Sequence, residues 1–213
     1  KVTMAYHADY DVIFITFYPL EIPGEENFEG LTLGLTDGGF IGFYTFKPEM
    51  WAKIPNRLAS FNSGRLFLSD ANNSYNTFYS DHSQQDRSYM HVIGNDKAIF
   101  EKVWESVAVN SNRDWSLKQA YNDDQSTHLL ASDFYLRQRM RYADLLRDEN
   151  TPNVEPPKTP LIHGDMLRSQ TLNLIFEYEG TEEALLNELF VGFQYLSGQH
   201  KPAFREEKNK AQQ

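Results

Sequence analysis

Two segments of the chain, residues 12–18 and 40–46, carry apolar side chains at almost every position. A strand with one solvated face alternates apolar and polar residues, whereas these segments are apolar on both faces. Turn-forming sequences bound them, including Gly38 and Gly39 just before the second segment. The pattern therefore predicts two central strands of a sheet.

Shorter apolar runs predict further strands in the first 93 residues. They cover residues 2–6, 31–35, 65–69, 75–79 and 88–93. Connections rich in Asn, Asp and Ser separate them, and residues 49–54 are predicted to form a short helix that stops at Pro55. Together the strands predict a mainly antiparallel sheet of about six or seven strands, which is an ordinary size.

Beyond residue 94 the apolar spacing changes from that of a strand to that of a helix. The apolar positions are Ile99, Phe100, Val103, Trp104 and Val107. They predict a helix that begins near residue 95, and a second helix is predicted over about 127–147. After a strand over 171–178, two Glu residues in the first turn favour a last helix over 182–196.

We therefore expect an α+β fold in which C-terminal helices cover the sheet. The sheet and the first helices form a domain over residues 1–150, followed by a proline-rich linker over 151–160 within that domain. Residues 161–198 are expected to pack back as a strand and a helix. Residues 199–213 form a polar tail.

Composition narrows the classes of function. The chain has 213 residues, no cysteine and a net charge of −10. Cysteine-based sites are excluded, and the negative charge disfavours nucleic acid as a partner. No apolar run is long enough to span a bilayer, and the start at Lys1 lacks the features of a signal peptide, which predicts a cytoplasmic protein whose N-terminus could be truncated. The sequence does not predict an oligomeric state.

The N-terminal hairpin carries a recognisable spacing of residues. Tyr6, Asp11 and residues 12–15 precede a loop, and Leu33, Leu35, Gly39, Ile41 and Gly42 follow it. Residues 4–46 thereby resemble a small uncharacterised prokaryotic domain family with a Tyr-Asp-x-x-x-Asp-Val-Leu-Tyr-Ile hairpin. The chain departs from that pattern at His7, where the family has Asp. The resemblance implies a hairpin and no activity.

Candidate metal ligands occur at two places. His7, Asp9 and Asp11 alternate, so on one extended strand they would share a face and could approach a metal. A hairpin turn is the favoured interpretation, because a hard cation would still need ligands from elsewhere in the chain. Asp70 begins a loop that loosely follows calcium-binding spacing, but Tyr75 stands where glycine is usual, and the residues also suit a strand connection. Asp81 and His82 lie nearby in the sequence.

The sequence His163-Gly164-Asp165 contains the candidate catalytic residues. It resembles the His-Gly-Asp catalytic loop of phosphotransferases of the aminoglycoside-kinase type. That family places Asn five residues after its Asp, where this chain has Gln170. A polar turn between the linker and the next strand is the alternative interpretation.

The sequence favours a non-enzymatic protein–protein interaction module, such as an adaptor, inhibitor, immunity-type protein or assembly subunit. We expect no cofactor and a protein partner. Candidate interaction residues are Trp51, Tyr75, Tyr79, Arg137 and Arg141. The alternative is a metal-dependent hydrolase or phosphoesterase that gathers His and Asp ligands, with a divalent metal, across the fold.

Overall fold

The computed structural model describes residues 1–18, 30–55, 57–77, 87–152, 154 and 158–196. Within the chain, Lys1–Asp86 and Arg87–Gln213 form two compact units. Nearly all regular structure in the described residues is antiparallel strand, arranged in four sheets. The described residues include no helix long and apolar enough to cross a bilayer.

The first unit contains a four-stranded meander and a three-stranded sheet. The meander consists of β1 (Val2–His7), β2 (Val12–Phe17), β3 (Leu31–Thr36) and β4 (Gly39–Tyr44), each paired with the next. The smaller sheet consists of β5 (Met50–Ile54), β6 (Arg57–Asn62) and β7 (Arg65–Leu68). The hairpin turn predicted for the segment from His7 to Asp11 is confirmed and spans residues 8–11, and the tight turn between β3 and β4 is confirmed as well.

Aromatic side chains fill the space on the inner face of the meander. The ring of Phe14 stacks on Trp51 of β5 with centroids 5.7 Å apart, and it meets Tyr44 and Phe46 edge to face. Such arrangements are favourable beyond the area they bury. The meander therefore has a buried inner face and an outer face that the described residues of its own unit leave largely exposed.

The second unit is built from two further antiparallel sheets. Its strands are β8 (Ser88–Gly94), β9 (Lys102–Ser111), β10 (Ser116–Tyr121), β11 (Ser126–Leu129), β12 (Tyr135–Arg137), β13 (Met140–Asp144), β14 (Arg168–Ser169), β15 (Leu172–Tyr178) and β16 (Leu186–Tyr195). One sheet has the order β11-β10-β15-β8. In the other, β16 pairs along the whole of β9, so β13 and β14 share the opposite edge of β9.

A single apolar core joins the strands of both sheets in the second unit. Trp104 and Val107 of β9 and Leu174 and Phe176 of β15 are among its fully or almost fully buried members. Inward-facing residues of two antiparallel sheets packed face to face produce this kind of core. The second unit is thus a β-sandwich.

The expected covering of C-terminal helices is wrong. The segments predicted as helices form β9, the β11 to β13 region and β16, and the described residues contain only one α-helix, α1 (Pro160–His163), and one 3₁₀ turn, Ala131–Asp133. Residues 49–54 were also expected to be helical and instead form β5. The fold is therefore mainly β, not α+β.

Several predicted strands agree with the structure. The runs at 65–69, 88–93 and 171–178 correspond to β7, β8 and β15. In the predicted strand over 75–79, residues 75–77 are not in a strand and residues 78 and 79 lie outside the described residues. The predicted polar tail over 199–213 and part of the proline-rich linker also lie outside them.

Candidate protein interaction surface

The outer face of the meander is apolar across all four strands. Residues two apart on a strand share a face, and directly paired residues lie side by side, so the strand register defines the surface. It places three rows of side chains together: Val2, Phe17 and Leu31; Met4, Ile15, Leu33 and Phe43; and Tyr6, Ile13, Leu35 and Phe40. We call these eleven side chains the outer face. It contains no Asp, Glu, Lys or Arg.

Much of this apolar surface is accessible. Phe43 is 69% exposed, Met4 is 66% exposed, and Phe40 and Val2 are more than half exposed. With side-chain areas of about 150–250 Å² for residues of this size, the six most exposed members present on the order of 700 Å². The largest apolar patch of a typical monomer is about 300–600 Å². The outer face is therefore larger than a solvated sheet normally leaves open.

The second unit provides an internal comparison, because its β11-β10-β15-β8 sheet also has a face turned away from the core. There His91 lies beside Ile175, and Tyr89 lies beside Glu177. His91 Nε2 is 3.1 Å from Asn173 Oδ1, so polar side chains interact across this face. The same chain thus contains one sheet face with mixed polarity and one that is wholly apolar.

Buried hydroxyl groups fix the two central strands beneath the outer face. Thr16 of β2 and Thr32 of β3 are fully buried, and their Oγ1 atoms lie 3.0 Å apart. The Thr32 hydroxyl also donates to the carbonyl of Phe46 at 2.6 Å. Buried hydroxyls need such partners, and these pairings fix the register that aligns the outer rows.

Two carboxylates, those of Asp11 and Asp37, lie near Tyr6 at one end of the outer face. The Tyr6 hydroxyl donates to Asp11 Oδ1 at 2.8 Å. This hydrogen bond, together with the charge of Asp11 and a smaller effect of Asp37, raises the pKa of Tyr6 above its ordinary value. Tyr6 is therefore neutral at physiological pH, and the whole outer face is uncharged.

Trp51, a candidate interaction residue, packs within the first unit against Phe14 and Phe46. Tyr75 is about half exposed, and Tyr79 lies outside the described residues. Arg141 donates to Asp114 and to the carbonyl of Ser111. Arg137 is exposed in β12. The structure does not bring these residues together on the outer face.

The structure brings two of the candidate metal ligands together. His7 is buried, with Nε2 2.8 Å from Asp70 Oδ2, while its Nδ1 atom is buried without a hydrogen-bond partner among the described residues. Asp9 and Asp11 lie in the exposed hairpin turn, whereas His7 faces inward. Asp81 and His82 lie outside the described residues. The part of the chain that is described contains no group of three or more His, Asp or Glu residues arranged to hold a metal.

His163 and Asp165, the candidate catalytic pair, lie at the end of α1 and just beyond it, and both are exposed. His163 Nδ1 is 3.4 Å from the carbonyl oxygen of Thr159. The Asp165 amide donates to the Thr151 hydroxyl at 2.9 Å, and its carbonyl accepts from the Asp148 amide. These contacts are those of a packed turn, in which the backbone of Asp165 makes the hydrogen bonds.

Sequence reasoning did not anticipate the buried lysine at the start of β9. Lys102 is fully buried, and its Nζ donates to the carbonyls of Gln170 at 2.6 Å and Phe100 at 3.1 Å. The ring of Trp104 lies 5.4 Å from the same atom. Burial lowers the pKa of Lys102, and the charge of Asp96 opposes part of that change. The ammonium group links two loops to the sandwich.

A polar cleft of about 330 Å³ lies near this lysine. Its lining includes Glu101, Asp123, Asp124 and Arg168, together with amide and hydroxyl side chains. Ligand sites are usually lined mainly by apolar side chains with a few polar groups. The lining of this cleft is polar and charged, unlike that of a usual ligand site. None of the site residues predicted from the sequence lines it.

The outer face itself was also missed, although the sequence contains a signal for it. In β1, Val2, Met4 and Tyr6 alternate with Thr3, Ala5 and His7, and only the second set faces the interior. In β3 as well, the leucines alternate with Thr32 and Gly34, which face the interior, so the alternation marks one apolar face on both strands without showing that this face is exposed. The chain matches no protein-family model and no curated protein sequence, so the candidate site is defined by its geometry.

Proposed function

We propose that this chain is a non-enzymatic protein–protein interaction module that binds through the outer face of the β1 to β4 meander. The partner contributes a flat, uncharged apolar surface. The observation that carries the proposal is the wholly apolar outer face, which contrasts with the mixed polarity of the outward face in the second unit.

Energetics support binding by this surface. Burying apolar area contributes roughly 25 cal/mol per Å², and association must offset the loss of translational and rotational freedom. The exposed area is on the order of 700 Å², close to the roughly 800 Å² that each partner contributes to a standard interface. Exposed side chains such as Phe43 and Met4 supply the large apolar anchors that such interfaces need.

Site-directed photo-crosslinking in cells that produce the full chain tests the proposal. A photoreactive phenylalanine replaces Phe43 on the outer face or, as a control, Ile93 on the outward face of the second unit, which is 54% exposed. We expect a discrete adduct from position 43 and none from position 93. A second substitution, Ile13→Lys, should abolish the adduct because it places a charge among the apolar rows.

Circular dichroism and thermal unfolding of the Ile13→Lys chain establish that it still folds. Equal adducts from positions 43 and 93 would contradict the proposal, and so would the absence of any adduct from position 43. Persistence of the adduct in a folded Ile13→Lys chain would contradict it as well.

A further inference from the structure

We infer that the surface bound by the outer face is the outer face of a second copy of this chain. This inference rests on the function proposed above and adds the identity of the partner. It describes a symmetric dimer in which two β1 to β4 meanders pack face to face. Twofold symmetric dimers are the commonest oligomers, and their two subunits use the same surface patch.

The size of the outer face fits this arrangement. Two copies that each bury on the order of 700 Å² approach the roughly 1,600 Å² of a standard stable interface. Antiparallel sheets pack face to face about 10 Å apart with their strands inclined by about 30°, which lets the side chains of both faces interdigitate. The second unit shows that sheets of this chain do pack in that way around Trp104 and Phe176.

The charge of the chain also favours this face for contact between copies. Each copy carries a net charge of −10, so an interface rich in carboxylates would place like charges opposite one another. The outer face carries no ionised side chain, and its one phenol, Tyr6, has a pKa raised by Asp11. Two copies can therefore meet there without burying a charge.

The net charge of each copy and the uncharged outer face together predict how the affinity of the dimer changes with salt concentration. The two copies repel one another at long range because of their net charge, and salt screens that repulsion. Apolar burial needs no ion pairs across the interface. Association should therefore become tighter as the sodium chloride concentration rises, whereas an interface held by ion pairs would become weaker.

Analytical ultracentrifugation of the purified full chain tests the inference, at low and at high sodium chloride. We expect a species of twice 24.7 kDa that dissociates on dilution and associates more tightly in high salt. Ile13→Lys on the outer face and Ile93→Lys on the second unit form a matched pair, since both replace a partly exposed isoleucine in a four-stranded sheet. The first should weaken the dimer by at least about thirtyfold, the scale of an interface hot spot, and the second should leave it unchanged.

The outcomes separate this inference from the proposed function. If the chain stays monomeric under all conditions and the outer face crosslinks to a protein of another mass, the partner is not a second copy. The proposed interaction function would then still stand. A monomer without any outer-face crosslink would overturn both. A dimer that weakens in high salt, or that resists Ile13→Lys in a variant shown to be folded, would overturn the face-to-face arrangement.

Discussion

Replacing Gly164 with alanine should destabilise the second unit, because the space for a methyl group is already occupied. A Cβ on Gly164 would lie 2.5 Å from the Pro160 carbonyl oxygen, 2.6 Å from Thr151 Oγ1 and 2.7 Å from the Asp148 carbonyl oxygen. The φ angle of −74° is one that alanine adopts readily. Any destabilisation must therefore come from close contact and not from backbone strain.

The expected loss of stability follows from which neighbouring atoms the added methyl group would displace. Two of the three neighbouring atoms belong to the backbone, and the third, Thr151 Oγ1, accepts from the Asp165 amide and donates to the Asp148 carbonyl. Overpacking costs about 1–3 kcal/mol, and weakening these two hydrogen bonds without breaking them adds about 1 kcal/mol in total. We expect a loss of about 2–4 kcal/mol and a midpoint lowered by roughly 5–15 °C.

Thermal and urea unfolding followed by circular dichroism measure this effect. Gly42→Ala is the control, because a Cβ there meets no atom within 4 Å and its φ is not positive. The control should unfold within about 0.5 kcal/mol of the wild type or slightly above it. Gly164→Ala with wild-type stability would refute the close-contact argument and reopen a functional explanation of the His-Gly-Asp sequence.

Four further substitutions test other parts of the structure. Lys102→Met removes the donor to the carbonyls of Lys97, Phe100 and Gln170 and should cost about 2–4 kcal/mol in urea unfolding. Equal stability would show that the ammonium makes no net contribution. Burial alone would raise the pKa of Glu177, but hydrogen bonds from Arg87 and a tyrosine and nearby positive charges lower it overall, so Glu177→Gln should cost about 1–3 kcal/mol at neutral pH. The difference in stability between this variant and the wild type should shrink as the pH falls below 4.5 and through the lower pKa of folded Glu177. Protonation of Glu177 then removes the same contribution from the wild type. A stability difference that does not change with pH would contradict a stabilising role of the Glu177 charge. Thr32→Val should cost about 1–3 kcal/mol, because it removes both the acceptor of the Thr16 hydroxyl and the donor to the Phe46 carbonyl. Thr16→Val should cost less, since the Thr32 hydroxyl keeps Phe46 as its acceptor, and the double variant should cost less than the sum of the two.

The helix predictions fail for identifiable physical reasons. Both faces of β9 are largely covered, with Val103 and Trp104 buried side by side and Val107 to Val109 buried together. A strand buried on both faces does not alternate, and its apolar positions coincided here with helical spacing. In β16, breaks in register near residues 187 and 192 interrupt the alternation, so the pattern again lacked the period of a strand.

The hairpin between β12 and β13 was hidden for a different reason. Its two turn residues, Gln138 and Arg139, both have positive φ angles. A two-residue turn of this kind usually contains Asn, Asp or Gly, and neither residue belongs to that group. No local signal marked the turn, so the apolar residues on either side were read as one helix. In contrast, Gly38 and Gly39 marked the turn before β4 clearly.

The same two segments that first predicted a sheet explain why its exposed face was not foreseen. Residues 12–18 and 40–46 are apolar on both faces, which predicted burial on both faces, and β2 is indeed a central strand. Yet Ile13 and Phe43 are exposed, and β4 lies at the edge of the meander, paired with β3. A sequence shows that a face avoids water but not whether its cover comes from the same chain or from another. Where the described residues cover only one side of a strand that is apolar on both sides, the exposed apolar side supports the proposed intermolecular contact. The exposed apolar side chains in the three rows of the outer face are the observation that supports the proposed interaction function.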